Sequence, residues 1–251
     1  VIVIPMAGLS LRFREAGFQR PKYMLPLHGK SLFHHVLAGF HRCFERDGFL
    51  FIYRNVDDTD AFVRAECREL GLTNFDVAVL NRPTGGQAET VALGLEKIGV
   101  ADDRPITIFN IDTIRKDFDY PRTAWRETSD GYLEVFRGSG PNWSYVRPAS
   151  GREPLIAETA EKHAISDLCC DGLYHFARSG DFRKALAEEK ADKTSSELYV
   201  APLYNRLIEK SAKIHYVLVE EDNLLFCGVP SEYEALLPAH QRSRLLGGQR
   251  C

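Results

Sequence analysis

Four short apolar runs, at residues 1–4, 49–53, 77–80 and 105–109, alternate with stretches whose apolar residues recur at helical spacing. That alternation constrains the fold more than any other feature. Parallel strands need a long crossover between them, and strands covered on both faces read as unbroken apolar runs, so the pattern predicts a parallel, doubly wound sheet. Leu32, Phe33, Val36, Leu37 and Phe40 predict a helix over residues 31–44, with Ser31 as its N-cap. Phe62, Val63, Cys67 and Leu70 predict the next, started by Asp57 or Asp58 and stopped by Gly71. From Gly131 the pattern changes. Short strand-like pieces at 132–136, 144–147 and 154–157, divided by Gly, Pro and Asn, read as an antiparallel region added to the sheet. A strand over 166–176, helices over 181–189 and 203–210, a strand over 213–219 and a last helix from Ser231 complete the reading.

Open α/β sheets bind ligands at the C-terminal ends of their strands, so the segments that follow the apolar runs are the candidates. The first reads PMAGLSLRFREAGFQRPKYMLP, residues 5–26. Ala7, Gly8 and Ser10 are small enough for backbone N–H groups to approach an anion, and Arg12, Arg14, Arg20 and Lys22 follow closely. So many cations suit a polyphosphate. Gly29-Lys30-Ser31 spells part of a P-loop but lacks the upstream glycine that motif requires. The second candidate is Thr84-Gly85-Gly86, turning into a helix at Gln87; such a turn can hold an anion or simply join strand to helix. The third is Asn110-Ile111-Asp112-Thr113, where Asp112 is either a metal ligand or a cap. One or two carboxylates suffice for Mg²⁺ when phosphate oxygens and water complete its shell. In the antiparallel region, Ser144 and Tyr145 beside Trp143 are expected to line a pocket for a second substrate.

Composition narrows the partners. At 44% hydrophobic and 27% charged residues with a net charge of −3, the chain reads as globular, with no basic excess for nucleic acid. No apolar run approaches membrane-spanning length, and the chain opens in a strand rather than a signal peptide. The six cysteines lack metal-ligand spacing, and Cys169-Cys170 suits neither zinc nor an ordinary disulfide; reduced, buried thiols predict a cytoplasmic protein. A homo-oligomer is left open.

The run A-G-L-S-x-R-F at 7–13, followed by P-K-Y-M-L-P at 21–26, resembles the signature of the sugar-1-phosphate nucleotidylyltransferases, or pyrophosphorylases. The resemblance covers residues 1–236 and implies one Rossmann-like (GT-A-like) α/β domain. Its mostly parallel central sheet is flanked by helices and carries a small antiparallel acceptor-binding lobe. Residues 1–125 would bind nucleotide and 126–236 the acceptor, with 241–251 a frayed tail. It further implies that Ala7, Gly8 and Leu9 hold the nucleotide, Arg12 the triphosphate, and Lys22 the transferred phosphate. Thr84, Gly85, Gly86 and either Gln87 or Glu89 would read the base. Asp112 would hold Mg²⁺ or Mn²⁺, and Asn110 would touch the nucleotide sugar or the shell of the same metal. On the acceptor side it implies Glu161 for hydroxyls, Lys162 for the phosphate, Gly172 on a strand closing over the substrate, and Glu197 as a further contact. One departure stands out: many members carry a second metal-binding Asp where this chain has Phe226; either Asp112 and the phosphates hold the metal alone, or a neighbouring acid, Asp222 or Glu221, replaces it.

The implied activity is condensation of a nucleoside triphosphate with a sugar 1-phosphate, releasing pyrophosphate, for capsule or other surface glycan synthesis. A CTP-dependent cytidylyltransferase acting on a non-sugar phosphate is the alternative. A glycosyltransferase of similar fold is a second, disfavoured because a donor without a γ-phosphate needs fewer cations than Arg12 and Lys22 provide.

Overall fold

The computed structural model describes residues 1–151, 154–192 and 197–238, so the tail expected to fray lies outside the described residues. In chain order the elements are β1 (Ile2–Pro5), α1 (Leu11–Glu15), β2 (Pro26–Leu27), β3 (Lys30–Ser31), α2 (Leu32–Ala38), β4 (Phe49–Tyr53) and α3 (Thr59–Leu70). Next come β5 (Phe75–Val79), α4 (Gln87–Lys97), β6 (Ile106–Phe109), β7 (Thr113–Arg115), β8 (Gly131–Arg137), β9 (Ser144–Pro148) and β10 (Ile156–Glu161). The chain ends with β11 (Leu168–Phe176), α5 (Ser179–Asp192), α6 (Leu203–Ile208), β12 (Ile214–Leu218), β13 (Leu224–Phe226) and α7 (Pro230–Leu236).

A nine-stranded sheet runs β10-β9-β11-β6-β1-β4-β5, with β8 beside β11 and β12 beside β8. The β6-β1-β4-β5 half is parallel, as the strand–helix alternation predicts. Antiparallel pairing enters through β11, which has β8 along one edge and β9 then β6 in succession along the other. The antiparallel region therefore continues the main sheet, and β11 carries it directly against the parallel half. Two small antiparallel pairs, β2–β3 and β7–β13, lie apart from it.

The strands sort their side chains by the period of two. Ile2, Ile4, Phe49 and Phe51 pack on one face with Phe33 and Val36 of α2, Val63 of α3 and Tyr233 of α7. Val3, Leu50, Ile52 and Ile108 face the other way, against Val91 and Leu95 of α4, Phe182 of α5 and Leu203 of α6. Each such side chain buried contributes about 1.5–3 kcal/mol, enough to hold the C-terminal strand ends of β1 and β6 in fixed relation.

Local signals set the helix limits where they are strong. Ser31 accepts from the His34 N–H at 3.0 Å, and Gly71, at φ 75°, stops α3. One limit differs: α2 ends at Ala38, six residues short of the predicted 44, and residues 41–43 form a 3₁₀ turn. The reason is tertiary. A Cβ on Gly39 would come within 2.0 Å of the Arg115 carbonyl oxygen, and Phe118 N–H donates to the Gly39 carbonyl at 2.8 Å, so the later segment docks onto the backbone where the helix would continue. Cys43, Cys67, Cys169, Cys170 and Cys227 are free and buried. Among the described residues no helix is long and apolar enough to cross a membrane.

Candidate active site

A cavity of about 840 Å³ opens at the C-terminal ends of β1 and β6, and its lining reaches from the first loop to the acceptor half. The loop after β1 is held from behind. Met6 N–H donates to the Ile52 carbonyl at 2.8 Å, and the Arg54 guanidinium donates to the Ala7 carbonyl at 3.1 Å. Ser10 turns the chain into α1 with φ 52°, a left-handed conformation uncommon for a residue with a Cβ. Phe13 anchors α1 against Phe18 and Tyr233, leaving Arg12 exposed at the cavity wall beside Ala7, Gly8 and Leu9. Lys22 follows on a 3₁₀ turn, and its Nζ lies 2.5 Å from Asp112 Oδ2 at the end of β6.

Thr84, Gly85, Gly86 and Gln87 form the next stretch of wall. This turn is pinned to the 197–200 segment: Leu198 N–H donates to the Gly85 carbonyl and Ala88 N–H to the Leu198 carbonyl, both at 2.9 Å. A Cβ on Gly86 would meet the Leu198 backbone at 2.5 Å, so only glycine permits the contact. Gln87 reaches the cavity and its amide donates to Asn110 Oδ1. Glu89, the other candidate base reader, turns away. It accepts from Gly85 N–H at 2.6 Å and pairs with Lys190 at 3.0 Å, and these bonds hold its carboxyl below the usual range. Its carboxylate is spent bracing the turn, which leaves Gln87 as the side chain facing the ligand space.

Asn110 N–H donates to the Gly172 carbonyl at 3.1 Å. Gly172 itself does not line the cavity, contrary to the acceptor-binding role expected of it. With φ 103° and a Cβ position 2.5 Å from the Asn110 amide nitrogen, it makes room for Asn110 across the irregularity in β11. Tyr145 is a second correction. It is fully buried, and its hydroxyl donates to the Gly140 carbonyl at 2.6 Å, because the period of two that points Ser144 into the cavity turns Tyr145 away from it.

Toward the antiparallel region, Trp143, Ser144, Glu161, Lys162, Tyr174, Glu197 and Tyr199 line the wall. Ser144 donates to Glu161, whose carboxyl burial pushes above its ordinary range while the Ser144 bond opposes the shift. Lys162, at φ 56°, lies 4.5 Å from the Tyr199 ring centroid and donates to its hydroxyl, which donates in turn to Glu197. Four of the predicted acceptor residues, Ser144, Glu161, Lys162 and Glu197, thus form one connected row, Lys162 lying 4.0 Å from Glu161. Tyr199, its middle member, was not among the predicted site residues, although it completes the Glu-x-Tyr of residues 197–199.

Two further carboxyls went unpredicted. Asp171 is buried on β11, accepts from Leu173 N–H at 2.9 Å and faces Glu134, which Arg115 pairs at 2.8 Å. Burial first, then the Glu134 charge, pushes the Asp171 carboxyl well up. A lone acid inside an apolar strand was the available signal. Glu232, in the first turn of α7, accepts from Gly228 N–H at 2.9 Å and Val229 N–H at 3.3 Å and lines the cavity. Its signal was a Glu three residues after a helix start. Asp222 does not reach the site. β13 pairs with β7 so that Phe226 lies opposite Thr113, next to Asp112, whereas Leu224 lies opposite Arg115. Asp222 therefore falls beyond the far end of the pair, where its backbone carbonyl accepts from Lys116 Nζ at 2.7 Å.

No protein-family model matches the sequence, and no curated protein matches it. Solved structures do. The nucleoside-diphosphate-sugar pyrophosphorylase from Vibrio cholerae RC9 is 49% identical, with a TM-score of 0.89 over 94% of this chain and 99% of that one. A UDP-glucose pyrophosphorylase complexed with UDP-glucose is 15% identical, with a TM-score of 0.70 over 97% of this chain and 98% of its own, and so shares the fold. The inositol-1-phosphate CTP transferase from T. maritima is likewise similar in fold, at 12% identity and a TM-score of 0.70 over 100% and 97% of the two chains. Identity of 49% across nearly the whole length carries more than fold, and the chain belongs to the nucleoside-diphosphate-sugar pyrophosphorylase family of nucleotidyltransferases.

Proposed function

We propose that this enzyme condenses a nucleoside triphosphate with a sugar 1-phosphate, in a reaction that depends on Mg²⁺ or Mn²⁺, to give a nucleotide-activated sugar and pyrophosphate. One observation carries the reading. Arg12, Lys22 and Asp112 meet in a single cavity whose far end is a row of carboxylates, hydroxyls and aromatic rings. The first group suits polyphosphate; the second suits an acceptor with hydroxyls, which Glu161 and Glu197 would accept from and the Trp143 and Tyr199 rings would pack against.

An oxygen of the acceptor phosphate forms a bond to the α-phosphorus in line. The bond from that phosphorus to the α–β bridging oxygen breaks, and pyrophosphate leaves. No general base is needed, because a phosphate monoester is already largely ionised near neutral pH. The task of the protein is to bring two anions together. Arg12 and Lys22 offset charge on the triphosphate and on the spread charge of the transition state, and Lys162 does so for the acceptor phosphate. Gln87 and Asn110, joined to each other, offer donors and acceptors for the nucleoside. When bound, a divalent cation held by Asp112 and phosphate oxygens supplies Lewis-acid neutralisation of the phosphates.

The same reading makes the protein a cytoplasmic enzyme of surface-glycan synthesis, as the resemblance and the free buried thiols suggest. A coupled pyrophosphate-release assay tests it. The four NTPs and dTTP are run against sugar 1-phosphates and non-sugar phosphates, with Mg²⁺ and with EDTA. Release with one NTP, one sugar 1-phosphate and metal is expected. Release only with a non-sugar phosphate and CTP would replace the sugar by that acceptor, and release undiminished by EDTA would remove the metal.

A further inference from the structure

The first turn of α7 brings a carboxylate, Glu232, to the cavity wall near Asp112, by a route unlike the one the resemblance suggests. Phe226, where an acid was looked for, packs its ring on Trp143 at 4.7 Å and on Phe136 at 4.8 Å between centroids, and so serves as cavity wall. Two residues later the chain has Gly228. The point where a Cβ would sit there lies 3.3 Å from Asp112 Oδ2 and 3.6 Å from Glu232 Oε2, so both carboxylates border one small gap that a side chain would fill. Glu232 is held in place through Oε2 by the Gly228 and Val229 N–H groups, and its Oε1 has no hydrogen-bond partner among the described residues. Lys22 pairs with Asp112 and makes no ion pair with Glu232 among the described residues. Lys22 therefore offsets the Asp112 charge, while Glu232 has only the two N–H groups to offset its own among the described residues. Carboxylate oxygens, completed by phosphate oxygens and water, are what a hard divalent ion takes.

We infer that Glu232 is the second carboxylate of the divalent-cation site, reaching from the first turn of α7 the space that Phe226 leaves without an acid, with Gly228 keeping the gap open. The inference rests on the metal-dependent transfer proposed above. The ion is thereby tied to the C-terminal part of the chain as well as to β6.

Mn²⁺ binding followed by electron paramagnetic resonance tests this without turnover. The full chain is titrated with Mn²⁺ in the presence of the α,β-methylene analogue of whichever NTP the pyrophosphate assay selects. Glu232→Gln, which removes the charge and retains an oxygen for the cap, should weaken Mn²⁺ about tenfold, in line with losses at supporting ligands. Gly228→Ala should weaken it similarly by filling the gap, and it leaves Glu232 intact, so it carries the test should Glu232→Gln melt early. Analogue affinity in EDTA should change by less than about twofold in both. Wild-type Mn²⁺ affinity in a folded Glu232→Gln protein, or in Gly228→Ala, overturns the assignment while leaving metal dependence standing. Absence of Mn²⁺ binding by the wild type overturns both.

Discussion

Lys22 and Asp112 are 90 residues apart in sequence and 2.5 Å apart in space, and the chemistry proposed for the site turns on that pair. Both side chains retain some solvent exposure, so their ion pair contributes little to stability. Lys22→Ala and Asp112→Asn should each lower kcat by about two to three orders of magnitude. The melting temperature should hardly move; near-normal turnover in either variant would remove that residue from the mechanism. Asp171 behaves in the opposite way. Its carboxyl is raised in the folded state by burial and by Glu134. A carboxyl with a raised folded pKa contributes stability that is present below its unfolded value and lost as pH rises through the folded one. Wild-type urea midpoints should therefore fall between pH 5 and pH 8 more steeply than those of Asp171→Asn, in which nothing titrates at that position. Equal slopes would show that the Asp171 proton is not held by the fold. Residue types and motif positions could be read at this scale, as with Arg12 and Lys22. Which of two neighbours faces the ligand, as with Gln87 and Glu89, could not.

At the scale of elements, the close seat of α4 on β4 gives a test in which two effects oppose. Gly94 is buried in α4, and a Cβ there would lie 2.2 Å from Ile52 Cδ1 and 2.5 Å from Ile52 Cγ1. On helix propensity alone, Gly94→Ala gains about 1 kcal/mol. Overpacking a close-packed core costs about 1–3 kcal/mol. Ile52 is itself fully buried on β4 and has little space to retreat, so the steric cost should win. A chemical denaturation midpoint above wild type would mean that α4 shifts freely. Strand positions and helix starts were legible because period and caps are local: Phe49–Tyr53 is a strand as read, and Gly71 ends α3 as read. The early stop of α2 at Ala38 was not, because the obstacle is the Arg115 carbonyl, brought there by a segment far along the chain.

For the whole molecule, one sheet continuous through β11 means that a ligand in the cavity touches both halves of the chain at once. Binding then stabilises the fold as a unit. Nucleotide at 100 times its Kd should add about 2.7 kcal/mol. For a domain of this size that is a rise in melting temperature of about 5–10 °C. Thermal scans with and without nucleotide check this, and the shift should shrink in Lys22→Ala at the same nucleotide concentration. No shift at any concentration of any NTP would count against nucleotide binding in this cavity.

The alternation of strand and helix, the two-sided burial of the parallel strands, and the loop of small residues followed by cations at a strand end are all legible in the linear chain. All of these rest on near neighbours in the chain, where periodicity, caps and glycine act. Packing in three dimensions was needed to show that Glu89 braces a turn, that Gly172 makes room for Asn110, that Tyr145 is core, that Asp222 lies beyond the end of β13 and that Glu232 borders the gap beside Asp112. In each case the deciding partner lies on another element or depends on strand register. Local propensity carries no information about which distant atoms packing will bring within 3 or 4 Å.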